Sequence, residues 1–194
     1  SFSLHEAESY GYTIRASQEA DDTLRISIST SLPDTTKLLG MTLMHAGKVE
    51  HIDTITMYKA TQSKAISTSE LPTGTYQFTL FDAEGEILAT RMLFINNGVN
   101  LSPITIRQNK PHYKPFEKIK MRIETRTKEE QYLSLAVRDA ADYGTGYSED
   151  IRTYMLLSSE LKGYIEQPEY YFESDDEEHR SAIDLLMMVQ GWSR

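Results

Sequence analysis

The sequence predicts an all-β chain built as two successive sandwich units, with helical additions near the C-terminus. Three observations predict it. Short runs alternate apolar and polar residues, turn-forming residues separate almost every pair of runs, and helical periodicity is absent before about residue 149. About seven such runs fall within the first 95 residues or so, the number and spacing of an immunoglobulin-like sandwich. The first unit is therefore expected over residues 1–97 and the second over 98–194.

The first strands are expected at Tyr12 to Ala16 and Leu24 to Ser29. In the second of these, Leu24, Ile26 and Ile28 alternate with Arg25, Ser27 and Ser29, as a strand with one buried face requires. Leu38 to His45 and Val49 to Met57 flank Ala46, Gly47 and Lys48, which reads as a hairpin. Lys64 to Ser69 is a weaker run. LPTGTYQFTLFDAEGEILATRMLF, residues 71–94, reads as one complete hairpin in which Tyr76, Phe78 and Leu80 alternate with Gln77 and Thr79. Gly85 is placed to supply the positive φ of its short loop. Phe81 breaks the alternation, and the return strand Ile87 to Ile95 is apolar on both faces: Leu88, Met92 and Phe94 against Ala89, Arg91 and Leu93. Something beyond the sandwich is expected to cover that region.

Asn96, Asn97 and Gly98 mark the boundary between units, because these residues tolerate turn conformations and the apolar pattern restarts after them. Strand-like composition returns at Ile104 and Ile106, at Ile119, Met121 and Ile123, and at Tyr132 to Val137, with Pro111 and Pro115 in the connection between the first two. A helix is predicted over 149–162. Ser148 is placed to cap it, Ile151, Tyr154, Met155, Leu157 and Leu161 recur at helical spacing, and Gly163 is placed to end it. Tyr164 to Phe172, interrupted by Pro168, reads as an extended segment laid across a surface. The acidic stretch Glu173 to Glu178 reads as a solvated run whose charge favours the start of a last helix near 179–190. There Ile183, Leu186, Met187 and Gln190, widened by Leu185, Met188 and Val189, form an apolar stripe too broad for a solvated helix. The second unit, or protein beyond this chain, is expected to bury it.

The 194 residues carry a net charge of −9 with Lys and Arg scattered, which argues against a nucleic-acid backbone as partner. No cysteine is present, so disulfides, thiolate nucleophiles and cysteine metal sites are excluded together. Apolar runs fall well short of the roughly 20 residues that span a bilayer. The opening at Ser1 and the stop just after an apolar helical pattern read as a piece of a longer polypeptide.

No residue set marks a reaction, and no catalytic, cofactor-binding or metal-binding residue is assigned. His5, His45, His51, His112 and His179 lack the paired spacing of a metal site. Asp175, Asp176, Glu177 and Glu178 lack the spaced pattern of a calcium loop. No GxSxG elbow is present, nor SxxK with its companion motifs, and Gly144, Thr145 and Gly146 lack the lysine of a phosphate-binding loop. Tyr164, Tyr170, Tyr171 and Phe172 remain as a candidate interaction surface, set against the plainer reading that they pack an internal interface.

Three stretches together carry a family resemblance: LPTGTYQFTLFDAEGEILATRMLFI, YMLLSSELKGYIEQPEYYF and AIDLLMMVQGW. They resemble successive signatures of large Bacteroidetes envelope proteins, in which macroglobulin-like β-sandwich domains precede a carboxypeptidase-regulatory-like domain and a TonB-dependent receptor plug. The resemblance covers most of residues 64–192 and carries no catalytic residue. It implies a periplasmic or outer-membrane-associated module, the second unit being macroglobulin-like, beside nutrient import. Its implied partners are other domains of the same polypeptide or envelope proteins. The thioester of the wider macroglobulin family needs a cysteine, which this chain lacks. The expectation is a non-enzymatic interaction or scaffold module without cofactor. The alternative is a carbohydrate- or peptide-binding domain that presents its ligand to an importer.

Overall fold

The computed structural model describes residues 9–19, 22–32, 36–98, 104–125, 130, 132–135 and 150–191. It is mainly antiparallel β, and it divides into two units: residues 1–98 together with 146–194, and residues 99–145.

Seven strands form the body of the first unit: β1 (Tyr12–Glu19), β2 (Thr23–Thr30), β3 (Lys37–His45), β4 (Lys48–Met57), β5 (Thr61–Ser67), β6 (Gly74–Phe81) and β7 (Ile87–Ile95). They make a three-stranded sheet in the order β1-β2-β5 and a four-stranded sheet in the order β4-β3-β6-β7, all antiparallel. Alternation sets which side chains meet between the sheets. Leu24, Ile26 and Ile28 of β2 face Leu39, Met41 and Leu43 of β3 and Tyr76, Phe78 and Leu80 of β6 in one buried cluster, to which β7 adds Leu93 and Ile95. The outward partners of β2 are Arg25, Ser27 and Ser29; the two serines pair with hydroxyls of β5.

Turn chemistry matches the turns formed. Ala46 and Gly47, at φ 47° and 76°, make the two-residue connection between β3 and β4. Gly85, at φ 87°, closes the β6–β7 loop, where the Asp82 carboxylate accepts hydrogen bonds from the Glu84 and Glu86 amides. A register shift between Leu80 and Phe81 accommodates the break in alternation.

Tyr76 is fully buried at the start of β6, stacked on His45 at 4.7 Å, and its hydroxyl donates to the Pro72 carbonyl at 2.7 Å. Burial, and secondarily the negative charge of Glu50, pushes its acidity well below that of an ordinary tyrosine, so the hydroxyl stays a donor. Tyr76→Phe keeps the ring and orphans the carbonyl. The expected cost is about 1–2 kcal/mol in urea denaturation, with an unchanged denaturant slope.

β7 is buried on both faces. Leu93 and Ile95 enter the core between the sheets, while Met92 and Phe94 point outward into a second cluster with Leu157, Leu161, Ile165, Ile183, Leu186 and Met187. That cluster is the underside of a third layer. Its parts are a helical turn α1 (Ile151–Thr153) running into a π-helical turn at Tyr154–Ser158, a 3-10 turn at Pro168–Phe172, and α2 (Glu177–Gln190). At the end of α2 a side chain on Gly191 would bring its Cβ to within 2.5 Å of Met92 Cβ, so the helix terminus lies directly on β7.

Four local expectations change. The helices, read with residues 98–194, belong to the first unit, because the outer face of β7 supplies the apolar surface their stripe needs. The first helix is capped by Asp150, whose carboxylate accepts from the Thr153 amide at 2.7 Å; Ser148 lies outside the described residues. Residues 168–172 coil into a 3-10 turn rather than running extended, since Gln167 turns left-handed at φ 47° and Pro168 suits a first helical position. The acidic run is structural rather than merely solvated: Asp176 caps α2 by accepting from the His179 amide.

In the second unit the described strands are β8 (Ile104–Gln108) and β9 (Met121–Thr125), paired antiparallel with Ile106 opposite Ile123. Residues 132–135 are described without strand structure, and the remainder of the run expected to Val137 lies outside the described residues. No helix among the described residues is long and apolar enough to cross a membrane.

Candidate functional site

The two sheets end in β1 and β7 on the same side of the sandwich, and these edges are bridged by side chains rather than by a backbone ladder. The Gln18 amide on β1 accepts from the Asn96 N–H at 2.8 Å and donates to the Asn96 carbonyl at 3.1 Å. Farther along, Arg91 of β7 donates to the Ile14 carbonyl at 3.4 Å. Between these bridges the seam opens into a cleft of about 550 Å³, roofed by the 3-10 turn and the first half of α2. Leu24 and Leu93 of the first core and Ile183 of the second lie at its base, so it sits where the two apolar clusters meet.

Ionic side chains tie the third layer to this seam. Arg91, with its side chain only 11% exposed, holds both oxygens of Asp184 on α2 at 2.7 Å. Arg180 forks onto Asp175 at 2.9 Å through two nitrogens, and Asn96 donates to the same carboxylate at 3.1 Å. The Arg180 hydrogen bond holds the Asp175 carboxyl below the ordinary aspartate range. Five carboxylates line the wall (Glu19, Asp22, Asp175, Glu177 and Asp184), and three of them are paired with arginines: Glu19 with Arg25 at 2.6 Å, Asp175 with Arg180 and Asp184 with Arg91.

His179 Nδ1 lies 2.6 Å from Asp176 Oδ1, and its ring rests 4.8 Å from that of Tyr170, whose hydroxyl donates to Glu178. The hydrogen bond to Asp176, aided by the charges of Asp176, Glu178 and Glu173, raises the His179 pKa. The Asp176 pKa is correspondingly lowered, chiefly by the His179 amide and ring. A raised histidine pKa contributes stability that is complete below its unfolded value of about 6.5 and is lost as pH rises through the folded value. The lowered aspartate contributes above its unfolded value and loses that contribution in acid. Stability from this pair is thus greatest in mildly acidic solution. His179→Gln is expected to flatten the decline on the alkaline side in thermal melts across pH.

The four aromatic residues singled out by sequence separate in role. Phe172 packs 5.7 Å from Phe94 beneath the third layer and carries Arg152 over its face at 5.2 Å. Tyr171 borders the same cluster and meets Tyr170 edge-on at 5.7 Å. Tyr164 is 57% exposed, held through its carbonyl by the Gln190 side chain. Tyr171 and Phe172 thus serve the internal interface, and Tyr170 is engaged by His179 and Glu178. Gln18, Asn96, Arg91 and Asp184, which shape the cleft, carry no sequence signal; Arg91 and Asp184 are 93 positions apart. Among the described residues no group of three or more His, Asp or Glu side chains is gathered as a metal site.

A search against protein-family models and a search of curated proteins each returned no match for the chain.

Proposed function

We propose that the chain is a non-enzymatic interaction or scaffold module of a larger envelope-associated polypeptide, working beside TonB-dependent nutrient uptake. The observation that carries the module reading is the use made of charge in the cleft: Arg91 with Asp184 and Arg180 with Asp175 join one layer to the next. The periplasmic or outer-membrane setting, and partners among other domains of the same polypeptide or envelope proteins, rest on the resemblance of the three quoted stretches. An immunoglobulin-like classification is supported by the three-plus-four strand arrangement and by the Tyr76 hydroxyl bonded back to Pro72 at the corner entering β6.

A photo-crosslinking residue at Tyr164 in the native parent protein tests this reading. Crosslinks to another domain or to an envelope protein support it; a yield no higher than from Ser63, on the three-stranded sheet, contradicts it. The alternative, a carbohydrate- or peptide-binding domain that presents its ligand to an importer, is favoured by the cleft, whose volume of about 550 Å³ lies within the range of ligand sites.

A further inference from the structure

The loop that joins β8 to β9 is prebuilt and presents one apolar side chain. Its ends are tied together: the Asn109 amide donates to the Lys120 carbonyl and the Lys120 amide to Asn109 Oδ1, both at 3.2 Å. The Tyr113 hydroxyl donates to that same oxygen at 2.7 Å. At the tip the Glu117 amide donates to the Lys114 carbonyl at 3.0 Å, which makes a tight turn with Pro115 and Phe116 at its centre. The Glu117 carboxylate locks the turn by accepting from Lys110 Nζ and from the Lys114 amide. Proline suits the first central position. The second lies at φ 64°, where glycine or asparagine ordinarily stands and a bulky side chain is strained. Phe116 is also fully exposed, so packing within the fold does not offset that strain. Strain kept at an exposed tip points to a use outside the fold.

Charge along this loop has one sign. From Arg107 to Arg122 stand six Lys or Arg residues against a single carboxylate, Glu117, which Lys110 already holds. Lys114, Lys118 and Lys120 are exposed, and none has an ion pair among the described residues. Ile119, 52% exposed between the last two, adds apolar surface beside them. A ring held out from a cationic collar matches the two layers of an anionic bilayer surface, phosphates outside and acyl chains beneath. A protein socket would set carboxylates against particular lysines, whereas this collar spreads over both limbs of the loop, as a continuous charged surface can use. We propose that the β8–β9 loop docks on an anionic phospholipid surface, with the Phe116 ring seated at the headgroup boundary and Lys114, Lys118 and Lys120 on the phosphates. The net charge of −9 opposes approach from a distance, but salt at roughly 0.1 M screens that repulsion beyond about 10 Å and leaves the collar to act in contact.

This goes beyond the interaction-module reading and is tested apart from it, since crosslinking at Tyr164 probes the other unit. The probe is a vesicle of phosphatidylcholine with about one-third phosphatidylglycerol, mixed with the 194-residue chain at roughly 0.1 M salt and read by co-sedimentation. Saturable binding is expected, about tenfold or more tighter than to phosphatidylcholine alone, and weaker as salt is added. Phe116→Gly places the residue the turn favours while removing the ring. It is expected to weaken binding about tenfold and to leave the thermal unfolding midpoint unchanged or raised. Phe116→Leu keeps an apolar tip and is expected to bind within about threefold of the parent chain. Lys118→Glu is expected to weaken binding severalfold, a difference that shrinks in high salt. Failure to bind anionic vesicles, equal binding to neutral ones, binding unchanged by Phe116→Gly, or a lowered midpoint in that variant would overturn the proposal. A crosslink from position 116 to another protein in the native parent, with no vesicle binding, would assign the tip to a protein socket and overturn it equally.

Discussion

Met187→Ala is expected to lower the unfolding free energy by about 2–5 kcal/mol, the range for truncating a buried methionine whose surroundings relax only in part. Met187 is 1% exposed and sits in the cluster that joins α2 to Met92 and Phe94 of β7. The loss should be seen equally by a probe of helix and a probe of strand. Were α2 an appendage, the substitution would loosen the helix alone, and the β signal would melt at its original midpoint. Chemical denaturation followed in parallel by circular dichroism and by side-chain resonances of the sandwich core distinguishes the two.

Asn97→Ala is the second large effect, with an expected loss of about 2–4 kcal/mol. The Asn97 side chain donates to the carbonyls of both Thr68 and Leu71 and accepts from Gln18, while its amide donates to Thr73 Oγ1. Alanine leaves two part-buried carbonyls without these donors and removes one anchor of the Gln18 bridge across the seam. Asn97→Asp is the informative companion. It preserves size and the acceptor for Gln18 but sets a carboxylate against two carbonyl oxygens, so it should be at least as damaging as alanine. Equilibrium unfolding of both variants checks the ordering.

The seven strands were legible because each has a buried and an exposed face, and alternation records that difference directly. The β6–β7 hairpin also carried a hint of the third layer: Phe81 and the two-sided apolar pattern of β7 signalled cover from outside the sandwich. What alternation cannot record is which element provides the cover. Chain order placed the helices with residues after the Asn96–Gly98 boundary, whereas the apolar surface that buries Leu186 and Met187 lies on a strand almost 100 positions earlier. Composition likewise read the acidic run as solvated, although Asp176 caps α2 and Asp175 joins Arg180 to Asn96. The seam was invisible for a different reason. Its bridges join Arg91 to Ile14 and Gln18 to Asn96, residues 77 and 78 positions apart, and what brings them together is which strands end each sheet, not side-chain type.

The claim beneath this account is that residues 151–191 form a third layer of the sandwich and unfold with it. Native-state hydrogen exchange against denaturant measures that most directly, comparing the amides of Leu186 and Met187 in α2 with those of Met41 and Phe78 in the β core. The account predicts the same opening free energy and the same denaturant dependence for all four, as for groups exposed only by global unfolding. Opening of α2 at a distinctly lower free energy, with a shallow dependence on denaturant while the strands stay protected, would contradict it.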